Sequence, residues 1–282
     1  MNAFELLSEW PVDNVAAGVL APDGTTRVHG DAARPFALAS VTKPLAAMAV
    51  MVAVEEGVVD LDTPVGPPGV TVRHLLAHAG GLAPDQRRLM TEPGGRRIYS
   101  NAGFEVLADG VADAAEIDFT TYFTEAIVDG LGLTGTVLNG SPAHGATSTV
   151  DDLLVVAREL LGDAPRVLAP STIEQMRTPV FPELAGVLPG LGVQDPNPWG
   201  LGCEIRGVKR PHWTGVHNSP ETFGHFGRAG TFLWIDPVQR VACVVLTDRE
   251  FGDWTFDRWP AFSDAVLSDV TRSLSTTTVT EL

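Results

Sequence analysis

Ser40 and Lys43 stand three residues apart in Ser40-Val41-Thr42-Lys43, at the start of a long apolar segment. On a helix this spacing puts both side chains on one face, one turn apart, so an amine lies within reach of a hydroxyl. A serine hydroxyl is a poor nucleophile until a neighbouring base takes its proton. The pair therefore points to acyl transfer through a covalent intermediate on Ser40. Lys43 is unusual in so apolar a helix. A buried ammonium needs a partner, or its pKa falls and it becomes a base. The bland alternative is a lysine that snorkels to solvent.

Tyr99-Ser100-Asn101 is a second group with chemical capacity, in a chain with only two tyrosines. A phenol can relay a proton between a serine and a leaving group. An amide can donate to an acyl carbonyl while its oxygen holds the lysine. Ser100 or Asn101 also fits the N-cap of the helix that follows. A third group is His225-Phe226-Gly227. Glycine in a strand allows close approach of a ligand or another backbone, and an edge strand offers a main-chain N–H to an oxyanion. His225 can tune the local field opposite the serine, although a lone histidine is more often structural.

The elements that must position these groups follow from the pattern of the chain. A short helix is expected over Phe4 to Trp10. Strands are expected at Val15 to Leu20, Thr25 to His29 and Phe36 to Ala39, with Pro22-Asp23-Gly24 as the turn between the first two. Thr42 to Glu56 reads as a helix buried all round that stops at Gly57. Helices are expected at Val72 to Ala77, Ala102 to Ala115, Phe119 to Asp129 and Val150 to Leu161. Leu184 to Pro198 reads as a loop flanking a cleft. Strands return at Trp199 to Ile205, Thr222 to Phe226, Thr231 to Ile235 and Val241 to Thr247. A last helix runs from Pro260 to Leu274, before a frayed tail from Ser275 to Leu282. Strands at both ends around a helical middle predict an α+β fold. One antiparallel sheet flanked by terminal helices (1–40 and 185–282) would face a mostly helical lobe (41–184), with chemistry in the cleft between them.

Nineteen Lys and Arg against thirty-five Asp and Glu give a formal charge of -16. Such a surface repels phosphate backbones and anionic lipids, which argues against nucleic-acid or membrane-surface partners. Cys203 and Cys243 fall in apolar strand-like segments, where free buried thiols are the default and a disulfide is not required. Met1 to Trp10 carries no basic residue and no apolar core of a signal peptide, so a cytoplasmic protein is expected. The histidines lack metal-ligand spacing apart from His74 and His78. No metal or other cofactor is expected.

The three groups, in this order, resemble the penicillin-recognising serine hydrolases, and most closely their class C β-lactamase-like branch of esterases and D-peptidases. Phe36 to Pro44 resembles the nucleophile segment. Glu55 to Asp62 resembles the acidic stretch after its helix, and Val72 to Leu82 its H-T-S-G-L segment. Trp199 to Gly202 and Thr231 to Pro237 resemble sheet strands. The resemblance covers about Val15 to Thr247. It implies an α/β sandwich of the β-lactamase and penicillin-binding-protein type plus an all-α lobe. It also implies roles: Ser40 the nucleophile, Lys43 its proton acceptor alone or with Tyr99, and Tyr99 the group that protonates the leaving group and activates the deacylating water. Asn101 would orient the acyl side, and the N–H groups of Ser40 and Arg228 would form the oxyanion hole. His78 would pack the loop. Asn101, His225, Gly227 and Arg228 are thus the implied substrate-binding residues.

Phe226 departs from the family, which often carries Thr or Ser there to bind a substrate carboxylate. That argues for an esterase or amidase acting on a small acyl substrate. A DD-peptidase or β-lactamase is the alternative within the family, and a non-catalytic sensor on the same fold is the alternative outside it. Arg228 is the candidate replacement for the missing anion contact.

Overall fold

The computed structural model describes residues 2–280, with side chains described through residue 273. Its centre is a six-stranded antiparallel sheet. In chain order the strands are β1 (Val15–Leu20), β2 (Thr26–His29), β3 (Glu204–Ile205), β4 (Phe223–Gly227), β5 (Thr231–Asp236) and β6 (Val241–Thr247). The spatial order is β3-β4-β5-β6-β1-β2, so the N-terminal hairpin completes a sheet begun by the C-terminal third.

Alternation along the strands explains the layers. Ala16 and Leu20 of β1, Leu233 and Ile235 of β5, and Ala242, Val244 and Leu246 of β6 join one apolar core. Their neighbours Ala17, Val19, Phe232, Trp234, Cys243 and Val245 join a second core. A period of two buries both faces of the sheet, as a strand covered on both sides requires. The second core is closed by the 3-10 turn Ala3–Glu9 and by the last helix, through Leu7, Trp259, Phe262 and Val266.

The first core holds the helices that carry the chemistry. These are α1 (Thr42–Glu55), α2 (Asn101–Ala115) and α3 (Val150–Leu161). Helix α1 is buried around most of its circumference, as its composition predicts. Helix α3 falls within the span 41–184 yet lies on the sheet. A Cβ on Gly18 of β1 would come 2.7 Å from Val150 and 2.8 Å from Leu154, so only glycine lets the helix sit this close.

Several boundaries differ from the sequence reading. Phe36–Ala37 does not join the main sheet. It pairs with Ala146–Ser148, which also pairs with Val137–Leu138. Phe119–Phe123 is α-helical but continues as a π turn over Thr124–Asp129. Helix α3 keeps its expected start and is capped by Thr149, whose hydroxyl accepts from the Asp152 N–H. Trp199 to Ile205 yields strand only at Glu204–Ile205. The segment read as a loop over Leu184 to Pro198 contains a hairpin, Gly186–Leu188 with Gly192–Gln194. The last helix spans Thr255–Thr280, longer at both ends than expected. Glu281 and Leu282 of the expected tail lie outside the described residues. Cys203 and Cys243 are free and buried. Among the described residues no helix is long and apolar enough to cross a membrane.

Candidate active site

The nucleophile segment is held before it turns. The Leu38 N–H donates to the Ala146 carbonyl at 2.9 Å, and the Leu38 carbonyl accepts from the Thr231 hydroxyl at 2.8 Å. Ala39 then takes a left-handed conformation, φ 47°. That conformation costs a residue with a Cβ about 1–2 kcal/mol. A 3-10 turn over Ala39–Val41 leads into α1, so Ser40 sits on a bent junction and Lys43 lies one turn further in. Gly227 is needed behind this bend. A Cβ there would come 2.3 Å from the Leu38 carbonyl oxygen and 2.5 Å from the Thr231 hydroxyl.

Lys43 is fully buried. Its Nζ lies 2.6 Å from the Tyr99 hydroxyl, 2.7 Å from Asn101 Oδ1, 2.9 Å from the Ala143 carbonyl and 3.3 Å from Ser40 Oγ. The Tyr99 hydroxyl lies 2.5 Å from Ser40 Oγ. Burial pushes the Lys43 amine well below its ordinary value, opposed by the more distant charges of Asp85 and Glu105. Burial also raises the Tyr99 phenol well above its ordinary value. These directions ease loss of the lysine's proton and hold the phenol protonated. Tyrosinate is disfavoured, and the lysine is the group in the cluster from which burial removes a proton most readily. A neutral amine has two N–H bonds, and the acceptor-only oxygens of Asn101 and Ala143 use both. Its lone pair is then left facing Tyr99 and Ser40.

Asn101 is oriented from behind. Its Nδ2 donates to Asp85 Oδ1 at 2.8 Å, which fixes the amide with Oδ1 toward Lys43. Ser100 caps α2 by accepting from the Gly103 N–H, and its hydroxyl donates to the Ala83 carbonyl. The Ser100 N–H donates to Nδ1 of buried His78 at 3.1 Å. His78 packs Tyr99, with ring centroids 4.7 Å apart, in accordance with the loop-packing role implied for it. Two residues before Tyr99, the buried Arg97 guanidinium donates to the carbonyls of Ala77, Val180, Phe181 and Asn197. Burial lowers its pKa to about 10.

The site opens into a cavity of about 340 Å³. Ser40, Tyr99, Asn101, His225 and Arg228 line it together with Leu188, Pro189, Trp199, Phe226 and Phe251. His225 shares the sheet face of Phe223 and lies 5.7 Å, ring to ring, from Tyr99. Its Nδ1 is 2.6 Å from the Phe226 carbonyl, an acceptor, so Nδ1 carries the proton and Nε2 is the acceptor. Burial lowers its pKa to about 3, aided by Lys43, so it is neutral at pH 7. Phe226 points to the opposite face, among Trp213, Phe251 and Trp259. Its ring thus belongs to the core under the last helix while its edge borders the cavity.

Three expectations need correction. Strand β4 is an edge only from His225 to Gly227. The two-residue β3 pairs with Phe223 and Gly224, leaving His225 to Gly227 unpaired by that strand. Gly227 acts by packing on the nucleophile segment rather than by lining the cavity. Arg228 reaches the cavity, yet its guanidinium lies 3.5 Å from the Glu250 carboxylate, so its charge is shared with a surface partner. His74 stacks on Phe181 and bonds Thr71, apart from His78.

Sequence reasoning missed four contributors. The Ala143 carbonyl is backbone and leaves no sequence signal. Asp85 follows a proline in a turn, which is a signal only once Asn101 is known to be near. The hairpin carrying Leu188 and Pro189 has strands too short for periodicity. The fourth is Glu204, a buried carboxylate on the cavity wall. Its oxygens accept from the Lys209 ammonium, from His212 Nε2 at 3.0 Å and from the Trp213 indole N–H at 2.5 Å. The Thr214 N–H donates to His212 Nδ1, which assigns the other ring proton to Nε2. Burial alone would raise the Glu204 carboxyl. The charge of Lys209 and the bonds from Lys209 and His212 outweigh it and hold the carboxyl well below the usual range.

Asp85 gives a testable consequence. Asp85→Ala frees the Asn101 amide to rotate and lowers kcat/KM about tenfold, the scale of one hydrogen bond to a charged group. Asp85→Asn retains an acceptor and most of the rate. Both remove a negative charge that favours the Lys43 ammonium, so the acid limb of the rate profile moves to lower pH. A pH–rate profile of the three proteins checks this.

The profile of the Beta-lactamase family matches residues 12–266. A β-lactamase from Mycobacterium bovis is 56% identical, with 95% of this chain and 99% of that chain covered and a TM-score of 0.93. At 18% identity, a simvastatin synthase variant from Aspergillus terreus covers 96% of this chain and 94% of its own, with a TM-score of 0.80. At the same identity, a hydrolase with promiscuous acyltransferase activity covers 94% and 96%, with a TM-score of 0.75. Those two show likeness of fold alone. No curated protein matches the chain. With its sheet, helical lobe and Ser40–Tyr99–Lys43 cluster described, and most of its length matched, the chain belongs to the β-lactamase family.

Proposed function

We propose that this protein is a serine hydrolase that cleaves an ester or amide of a small acyl substrate through an acyl-enzyme on Ser40. The observation that carries the reading is the hydrogen-bonded triangle of Ser40, Tyr99 and Lys43 at the floor of an apolar cavity. As Ser40 Oγ attacks the acyl carbon, its proton passes to the Tyr99 oxygen and the Tyr99 proton passes to the Lys43 lone pair. Collapse of the tetrahedral intermediate breaks the bond to the leaving group, which takes a proton from Tyr99 while Lys43 returns one to Tyr99. Water then repeats the sequence: Tyr99 takes its proton, hydroxide adds to the acyl carbon, and Ser40 Oγ leaves with a proton. The oxyanion lies between the N–H groups of Ser40 and Arg228. A neutral His225 adds no positive charge that would raise the cost of a lysinium beside it.

The directions of the two pKa shifts support relay through Tyr99 over a resting tyrosinate. A fluorophosphonate probe should label the wild type and spare Ser40→Ala; equal labelling would sink the assignment. A β-lactamase activity is the second reading, favoured by the naming of the Mycobacterium bovis relative. Phe226 counts against it, because an aromatic edge stands where a hydroxyl would meet the lactam carboxylate. Nitrocefin turned over faster than a short-chain p-nitrophenyl ester would make the second reading the better one.

A further inference from the structure

A second cavity, of about 370 Å³, lies on the other side of Tyr99 and Pro189, which line both. The partition is the hairpin Gly186–Gln194. Strand alternation turns Leu188 into the catalytic cavity and Val187 into the second one. Met90, Ile98 and Val187 make the second cavity apolar, and Met90 and Val187 are 53% and 47% exposed. Two arginines line it. Arg97 spends its guanidinium on four backbone carbonyls. Arg96 is exposed and, among the described residues, has no ion pair within 4 Å. An apolar wall continuous with the catalytic cavity and ending at one uncommitted cation is a feature that neither the fold nor the catalytic residues require.

We infer that this second cavity is a leaving-group subsite for an apolar chain that ends in a carboxylate. The inference rests on the hydrolase reading above, in which Tyr99 protonates the leaving atom, so the leaving group must lie on the Tyr99 side of Ser40. The acyl group then occupies the cavity beside Phe226 and Trp199, and the departing chain passes Pro189 along Val187 and Met90 toward Arg96. A volume of about 370 Å³ gives room for a short chain. A guanidinium recognises a carboxylate by two parallel hydrogen bonds.

Met90 supplies a readout that does not depend on turnover, because Met48, Met51 and Met176 are buried elsewhere. With methyl-labelled methionine, ω-hydroxyhexanoate, its methyl ester and aminohexanol are titrated onto the full chain and the Met90 resonance is followed. The acid is expected to shift Met90 at roughly two- to fivefold lower concentration than the neutral ester, the range of an exposed ion pair, and aminohexanol at the highest. Arg96→Ala should erase that order. In turnover, acetyl esters of the same three alcohols should show a KM rise of the same factor for Arg96→Ala on the acid alone, with kcat unchanged, because the contact is equal in ground and transition states. Equal midpoints, an unmoved Met90, or a preference that survives Arg96→Ala would overturn the inference. Esters that are inert while Met90 still prefers the acid would overturn the hydrolase reading and leave the carboxylate-binding cavity standing.

Discussion

Lys43→Met is expected to lower kcat/KM by about four to six orders of magnitude, and Ser40→Ala by a similar amount. The double variant should be no worse than either alone, because the two residues act as a unit. The physical reason lies in the amine's four contacts. Two acceptors hold its N–H bonds, and the remaining lone pair faces the Tyr99–Ser40 pair. Methionine fills the same buried space without a base, so the fold should survive while the proton has nowhere to go. The same lysine sets the pH dependence. Its native pKa is depressed by burial, so activity should rise as pH climbs through that depressed value and level off above it. The sign for stability is the same. Between the depressed native pKa and the ordinary unfolded one, the unfolded chain binds more protons, so stability rises with pH across that window. Lys43→Met should flatten both curves. Steady-state rates and urea midpoints over a pH series check them.

Glu204→Gln is expected to cost about 3–5 kcal/mol of stability, the scale for breaking a buried ion pair by removing one partner. Glu204 and Lys209 are both almost fully excluded from solvent. Lys209 also donates to Asn197 and to the Pro198 carbonyl, so the pair fastens the segment after β3 to the cavity wall. With the carboxylate neutral, an ammonium remains in a dry site. Adding Lys209→Met removes that charge and should recover most of the loss, a coupling visible only in the double-mutant cycle. Urea unfolding of the four proteins measures it. Because Glu204 also lines the catalytic cavity, Glu204→Gln should raise KM as well.

The sequence made part of this legible. A serine and a lysine on one helical face, a tyrosine beside an asparagine at a helix start, and a glycine-rich strand with a histidine could all be picked out because each residue type carries its own chemistry. Val241–Thr247 alternates between two cores, so its period was readable. The contributions that escaped are of other kinds. Ala143 acts through its carbonyl. Gly227 acts through the absence of a Cβ against Leu38, a contact 189 residues away in sequence. Asp85 and Arg97 act through other residues, holding Asn101 and the segments around Tyr99. The hairpin between the two cavities is three residues per strand, too short for a pattern to outweigh its glycines and Pro189. Phe36 keeps strand character but pairs outside the main sheet, a choice of partner that no local pattern encodes.

The central claim is the covalent intermediate. It is tested most directly by acid-quenching the enzyme during the first turnovers of a short-chain acyl ester and mapping the added mass by peptide mass spectrometry. The account predicts one acyl group on the peptide that contains Ser40, and little or none in Tyr99→Phe, where the relay that removes the Ser40 proton is lost. An acyl group on any other peptide, or undiminished turnover by Ser40→Ala, would contradict it.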